Sequence, residues 1–260
     1  MTARAWIAGL LLAATSLFGT AAGAQDTDAD ARAILRSMSD YVSAQKTIEL
    51  TFDSDIEVIT PELEKIQFTN SGEVQLSRPD KLYAHRVGGY ADVALYFDGK
   101  TAGIYGKSVN GYATFDAVGT VDQLIDALRE GHGVALPGAD FLLANSYDRL
   151  IADVIEAKHI GRGVIEGTEC EHLAFRNFDT DWQVWIETGD KPFPRKLVIT
   201  SKTMNSAPQY TFRVKTWKAG AKPQPGAFTL TPPAGATRLD PNALIDLDEL
   251  PPEAPAGGTR

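Results

Sequence analysis

Apolar residues at Ala31, Ile34, Leu35, Met38, Tyr41 and Val42 recur with the i, i+3, i+4, i+7 spacing of an amphipathic helix, so residues 28–42 are predicted to form a helix that opens the domain. The period then changes to two. Ile48, Leu50, Phe52, Ile56 and Val58 alternate with Glu49, Thr51, Asp53, Asp55 and Glu57, which predicts a long strand with one apolar and one polar face. Ile66, Phe68, Val74 and Leu76, set against Lys65, Gln67, Glu73 and Gln75, predict a second long strand; Pro61 marks the turn, and the two are expected to pair as an antiparallel hairpin.

Arg78-Pro79-Asp80 ends that strand, and three shorter β segments at 81–87, 93–97 and 103–106 read as a meander. Asp98-Gly99 is the chemistry of a type I′ hairpin turn, because glycine accepts the positive φ that such a turn demands. Residues 120–129 predict a helix with Thr120 as N-cap, Asp122 and Gln123 in the first turn and Val121, Leu124, Ile125 and Leu128 on one stripe; Gly131-His132-Gly133 stops it. Two more short helices are expected at 136–143 and 147–155, the first reading equally well as an ordered loop. From Lys158 the period returns to two, with Trp182, Val184 and Ile186, then Leu197 and Ile199, then Tyr210, Phe212 and Val214, which predicts four or five antiparallel strands. Strands and helices come in blocks without βαβ alternation, so the expected fold class is α+β: a strongly curved antiparallel sheet with the helices packed in its concave face.

The N-terminus changes the picture of where the chain works. Arg4, an apolar run over 6–18 and Ala22-Gly23-Ala24 make a secretory signal peptide with cleavage expected after Ala24, and the run is well short of the roughly 20 residues a spanning helix needs. The expected division is a signal peptide over 1–24, a single domain over 25–239 and a disordered acidic, proline-rich tail over 240–260. The expected localisation is the periplasm. Arg4 is the only charged residue of the signal segment, so the formal net charge of −9 becomes −10 on cleavage, which argues against nucleic acid as a partner. Cys170 is the single cysteine; no internal disulfide can form, and its neighbours Leu173 and Phe175 mark it as a packing residue rather than a nucleophile.

Local catalytic chemistry is missing from the sequence. His85, His132, His159 and His172 lack the spacing of a zinc site, and His132 between two glycines reads as a helix-stop residue. Ser43, Ser54 and Ser71 have no nucleophile elbow and no nearby histidine. The i, i+2 pairs Asp53/Asp55 and Asp179/Asp181 line a wet strand face, and Gly88-Gly89 and Gly161-Arg162-Gly163 read as turns rather than phosphate cradles. The expectation is a protein that is not an enzyme, with no catalytic residue, metal or cofactor. The aromatic residues are more informative. Phe52, Phe68, Tyr83, Phe97, Phe115, Trp182, Trp185 and Phe212 fall in strands whose inner face must be covered by helices or shared with a ligand, while Trp182 and Trp185, three apart, must point to opposite faces.

Four stretches carry a family resemblance: Leu76-Ser77-Arg78-Pro79-Asp80-Lys81-Leu82; Tyr96-Phe97-Asp98-Gly99-Lys100-Thr101; Trp185-Ile186-Glu187 leading to Phe193-Pro194-Arg195-Lys196-Leu197; and Phe228-Thr229-Leu230-Thr231-Pro232-Pro233-Ala234-Gly235-Ala236. In this order the chain resembles the periplasmic lipoprotein carriers of the LolA/LolB type, most closely a predicted-periplasmic branch called domain of unknown function 2092. The resemblance implies an open half-barrel of about eleven antiparallel strands around an apolar cavity. It also implies a soluble binding protein that holds a lipid, acyl chain or other hydrophobic ligand between sheet and helices, with a place in lipid or lipoprotein trafficking. The candidate lining is Phe52, Phe68, Leu82, Trp182 and Phe212 on strands with Leu124, Leu128 and Phe141 on helices. Envelope lipoproteins or membrane proteins are the further partners to expect. The competing reading is an envelope interaction or sensor module without a small-molecule ligand.

Overall fold

The computed structural model describes residues 22–240 except 133 and 135. The expected signal segment, apart from its last three residues, and the expected tail beyond Asp240 lie outside them, as does the His132 side chain.

The alternating segments build one twelve-stranded sheet. β1 (Thr47–Ile59) and β2 (Lys65–Ser77) form the long hairpin, in unbroken register from Thr47 opposite Ser77 to Ile59 opposite Lys65. β3 (Lys81–Gly88), β4 (Asp92–Phe97), β5 (Thr101–Gly106) and β6 (Gly111–Asp116) extend it outward as a meander. After the helices, β7 (Glu156–Ile165), β8 (Thr168–Arg176), β9 (Thr180–Glu187), β10 (Pro194–Ser201) and β11 (Gln209–Ala219) make a second meander that runs inward until β11 pairs with β1. These eleven strands are antiparallel. The twelfth, β12 (Thr237–Arg238), lies parallel to β6 at the far edge.

Three local readings need correction. A strand at β6 was not anticipated, because Gly111 and Ala113 on its inner side are too small to mark an apolar face. The β4–β5 turn is not type I′, since Gly99 has φ 91° but neither Asp98 nor Lys100 is in the left-handed region; instead the Asp98 carboxylate accepts the backbone N–H groups of Lys100 and Thr101 at 3.0 and 2.9 Å. Gly161-Arg162-Gly163 is not a turn but lies within β7, where the register shifts at a bulge between His159 and Gly161.

The helices cover the concave side. α1 (Ala22–Ala44) presents Ala31, Leu35, Met38 and Val42, all fully buried, and is tied to the edge strand where Asp28 accepts the Ala157 N–H at 3.0 Å. An i, i+4 bond from Arg32 to Asp28 at 2.6 Å holds that carboxyl below the usual carboxylate range. α2 (Val121–His132) starts with a reciprocal capping box: the Gln123 N–H donates to Thr120 Oγ1 and the Thr120 N–H to Gln123 Oε1. Of the two short helices expected next, the first is a single 3₁₀ turn (Ala139–Leu142) and the second is α3 (Ser146–Ile151). One core cluster joins these helices to both meanders. Cys170 is fully buried, and burial raises its thiol above the ordinary range, in keeping with a packing role.

Gly72 in β2 sits directly beneath the Phe52 ring; a Cβ there would lie 2.4 Å from the His85 carbonyl oxygen and 2.5 Å from Phe52 Cζ. Gly72→Ala is therefore expected to destabilise the fold by about 1–3 kcal/mol in urea unfolding, whereas Gly89→Ala, with open space at its Cβ, should be near neutral.

Candidate functional site

Residues opposite one another across paired strands share a sheet face, so the register separates the two sides. The concave side carries, from β11 through β4, the rows Val214–Phe52–Gly72–Arg86–Val93 and Phe212–Ser54–Asn70–Gly88, followed by Tyr210–Ile56–Phe68. The convex side carries Asp53, Asp55, Ser71, Glu73, Tyr83 and His85.

The concave face is unevenly covered. Toward the ends of the strands next to the α1–β1 connection, Ile48, Leu50, Leu76, Leu82 and Phe97 are buried under helices, as are Leu173, Val184, Ile186 and Leu197 in the second meander. Toward the opposite ends, Ile56, Val58, Phe68, Val93, Ile199 and Tyr210 are only half-buried, and Ile66 is 41% exposed. At that rim the Phe68 ring packs edge-on to Tyr90, which is itself 53% exposed. An apolar strip thus runs from the helix-filled half to an open mouth.

The eight candidate lining residues divide along the same boundary. Leu82, Leu124, Leu128, Phe141 and Trp182 are buried in the core between helices and sheet. Phe52 and Phe212, stacked at 4.7 Å, form its border, and Phe68 lies beyond them on the strip. Trp182 and Trp185 point to opposite faces, Trp182 inward against Phe175 and Trp185 outward against His172.

Two concave-side residues were not among the candidates. Ser54 (0% exposed) and Asn70 (3% exposed) face each other across β1 and β2, and neither Ser54 Oγ nor Asn70 Nδ2 has a hydrogen-bond partner. The Asn70 carboxamide reaches over Gly88, where any Cβ would collide with it at 1.8 Å. Leaving such a polar group desolvated and unpaired costs about 1–3 kcal/mol. The sequence held a signal for them: the inner-face alternation of both strands is interrupted, by Ser54 in β1 and by Asn70 and Gly72 in β2, and the register aligns these interruptions.

On the convex side polar groups pair with one another. Arg213 Nη1 donates to Asp55 at 2.6 Å, Thr69 Oγ1 donates to the same carboxylate at 2.7 Å, and Ser71 Oγ donates to Asp53 at 2.7 Å. Asp55 is buried, so it is not the wet-face carboxylate that its i, i+2 spacing suggested. A depression lined by Thr51, Asp53, Ser71, Glu73, His85 and Lys215 holds a histidine bonded to Asp92 and a lysine bonded to Glu166. Among the described residues no group of three or more histidine, cysteine, aspartate or glutamate side chains could hold a metal ion, and no helix is long and apolar enough to cross a membrane.

Residues 31–240 match the family model described as "Predicted periplasmic protein (DUF2092)". The chain belongs to this family. The motif resemblance to the predicted-periplasmic branch therefore holds, and the sheet has the open, curved antiparallel architecture expected of it. No curated protein matches the sequence. Among solved structures, this DUF2092 chain is similar to the Mycobacterium tuberculosis lipoprotein LppX, with 13% identity and a TM-score of 0.46 over 75% of this chain and 99% of that one. It is also similar to a chain of the Pseudomonas aeruginosa MucA/MucB complex, with 14% identity and a TM-score of 0.45 over 78% of this chain and 61% of that one. A LolA superfamily protein of Nitrosomonas europaea gives 11% identity and a TM-score of 0.36 over 74% and 94% of the two chains.

Burial, helped by the charge of Lys196, holds the His172 imidazole below its ordinary value of 6.5; the ring stacks on Trp185 at 4.1 Å, within 2.9 Å of Gln183 Oε1. The native state thus disfavours the proton that the unfolded chain accepts. This contribution to stability is full above about pH 6.5 and is lost as pH falls through that value toward the native pKa. Urea midpoints of this DUF2092 protein should fall between about pH 7.5 and 5.5, and His172→Gln should flatten that fall.

Proposed function

We propose that the protein is a periplasmic binding protein, not an enzyme, that holds a lipid, an acyl chain or another hydrophobic molecule between sheet and helices and serves lipid or lipoprotein trafficking. The half-buried apolar strip of Ile56, Val58, Phe68, Ile199 and Tyr210, continuous with the filled core and open at Ile66 and Tyr90, is the observation that carries this reading. A strip of this kind is stabilised by an apolar chain laid along it, at roughly 0.8 kcal/mol for each methylene buried. Phe52, Phe68 and Phe212 are its aromatic contacts; Leu82, Leu124, Leu128, Phe141 and Trp182 form the wall against which the chain ends unless the helices shift. In this reading the chain is exported by a signal peptide cleaved after Ala24, and the binding unit is the single domain over 25–239, followed by a flexible acidic tail over 240–260.

The filled state of the helix-side half favours a second reading, an envelope interaction or sensor module with no small-molecule ligand. Native mass spectrometry of protein purified from envelope extract separates the two. A co-purifying lipid, together with a rise in melting temperature on adding a long-chain fatty acid, is the expected result; a bare mass and an unchanged melt would overturn the binding reading. Phe68→Asp, which places a charge on the strip outside the core, should weaken fatty-acid binding at least about ten-fold, while Val118→Asp, at a site 85% exposed, should leave it unchanged.

A further inference from the structure

Ser54 and Asn70 set the chemistry of the ligand, in an inference that rests on the binding reading above. Both are more than nine-tenths buried, both lack a hydrogen-bond partner, and they are cross-strand neighbours on the same concave face. Two donors, the serine hydroxyl and the asparagine amide, therefore converge on one spot. On one side of it is the stacked pair Phe52 and Phe212, where the filled core begins; on the other are Ile56 and Phe68, where the uncovered strip begins. Other buried unpartnered hydroxyls, of Ser39 and Ser146, lie on α1 and α3 rather than on the strip.

The absence of a side chain at Gly88 lets the Asn70 carboxamide lie across β3, and the absence of one at Gly72 lets the Phe52 ring lie across β2. The two glycines together keep a polar notch next to an aromatic wall. A purely hydrocarbon ligand would leave both donors unpaired.

We propose that Ser54 and Asn70 form a carbonyl-binding notch: they donate hydrogen bonds to the acyl carbonyl oxygen of an amphiphile whose hydrocarbon chain lies on the strip of Ile56, Phe68 and Tyr210. The ligand class is an acyl compound, either an esterified lipid or a free fatty acid, and not an alkane-like or isoprenoid hydrocarbon without an acceptor.

The test compares binding of methyl palmitate, palmitate and hexadecane to the intact protein by quenching of its tryptophan fluorescence, with Ser54→Ala/Asn70→Ala alongside. The wild type is expected to bind one or both acyl probes about ten-fold more tightly than hexadecane, and the double variant to lose that preference while its hexadecane affinity stays the same. Preference for the ester assigns the notch to esterified lipids and preference for palmitate to free acids, and either supports it. Equal binding of all three probes to the wild type, or an acyl preference that survives in the double variant, overturns the notch and leaves the binding reading standing. Failure of every probe to bind overturns both. A measurement on the wild type alone covers a variant that does not fold: the infrared carbonyl stretch of bound, carbonyl-labelled methyl palmitate should move to lower frequency than in a hydrocarbon solvent, and an unmoved band rejects the notch.

Discussion

The pairing of β1 with β11 is the constraint on which the rest of the molecule depends. Each meander alone is an open ribbon of neighbouring strands; the seam from Ile48 opposite Ala219 to Ile56 opposite Tyr210 makes them one sheet. A register shift between Thr51 and Phe52 divides the seam and adds twist where the sheet bends most sharply toward its helices. Every residue on the border of the strip owes its place to this pairing: Phe52, Ser54 and Ile56 come from one strand, Tyr210 and Phe212 from the other. On the convex side the seam carries the bond from Arg213 to the buried carboxylate of Asp55, which leaves that charge compensated where water is excluded.

The helices complete only half of what the sheet begins. α1 buries a stripe of four residues and reaches the β7 edge through Asp28, which occupies a backbone donor that an edge strand would otherwise present to other chains. α2, the 3₁₀ turn and α3 fill the rest of the concavity on the same side. Nothing comparable among the described residues covers Ile66, Phe68 and Tyr90. The apolar surface left there is small and follows strand direction, a shape suited to an extended chain rather than to a compact molecule.

Sequence periodicity captured the long hairpin, both meanders and the capped α2 because each buries one face only, and half-burial is what writes a period into a sequence. It failed where side chains are small or backbone geometry rules. β6 has glycine and alanine where bulk would have marked an inner face; the glycines of β7 serve a bulge in mid-strand; the turn at Gly99 is governed by the carboxylate of Asp98. Of the candidate lining, residue choice found the concave side well but could not divide core from strip, since helix placement decides that and periodicity is silent about it. Ser54 and Asn70 were passed over because a polar residue in an apolar row looks like noise until the register sets two of them face to face.

The seam also bears on when the fold can form. The bond between Asp55 and Arg213 joins positions 158 residues apart, and the strand that supplies Arg213 is the last long one in the chain. Contacts so distant in sequence slow folding, because a large loop must close before they repay its entropy. The central strand of the sheet stays an edge until nearly the whole polypeptide is present. For a family described as periplasmic, this ordering keeps the leading half from locking early, so the final architecture is reached only after the trailing half has arrived in the same compartment.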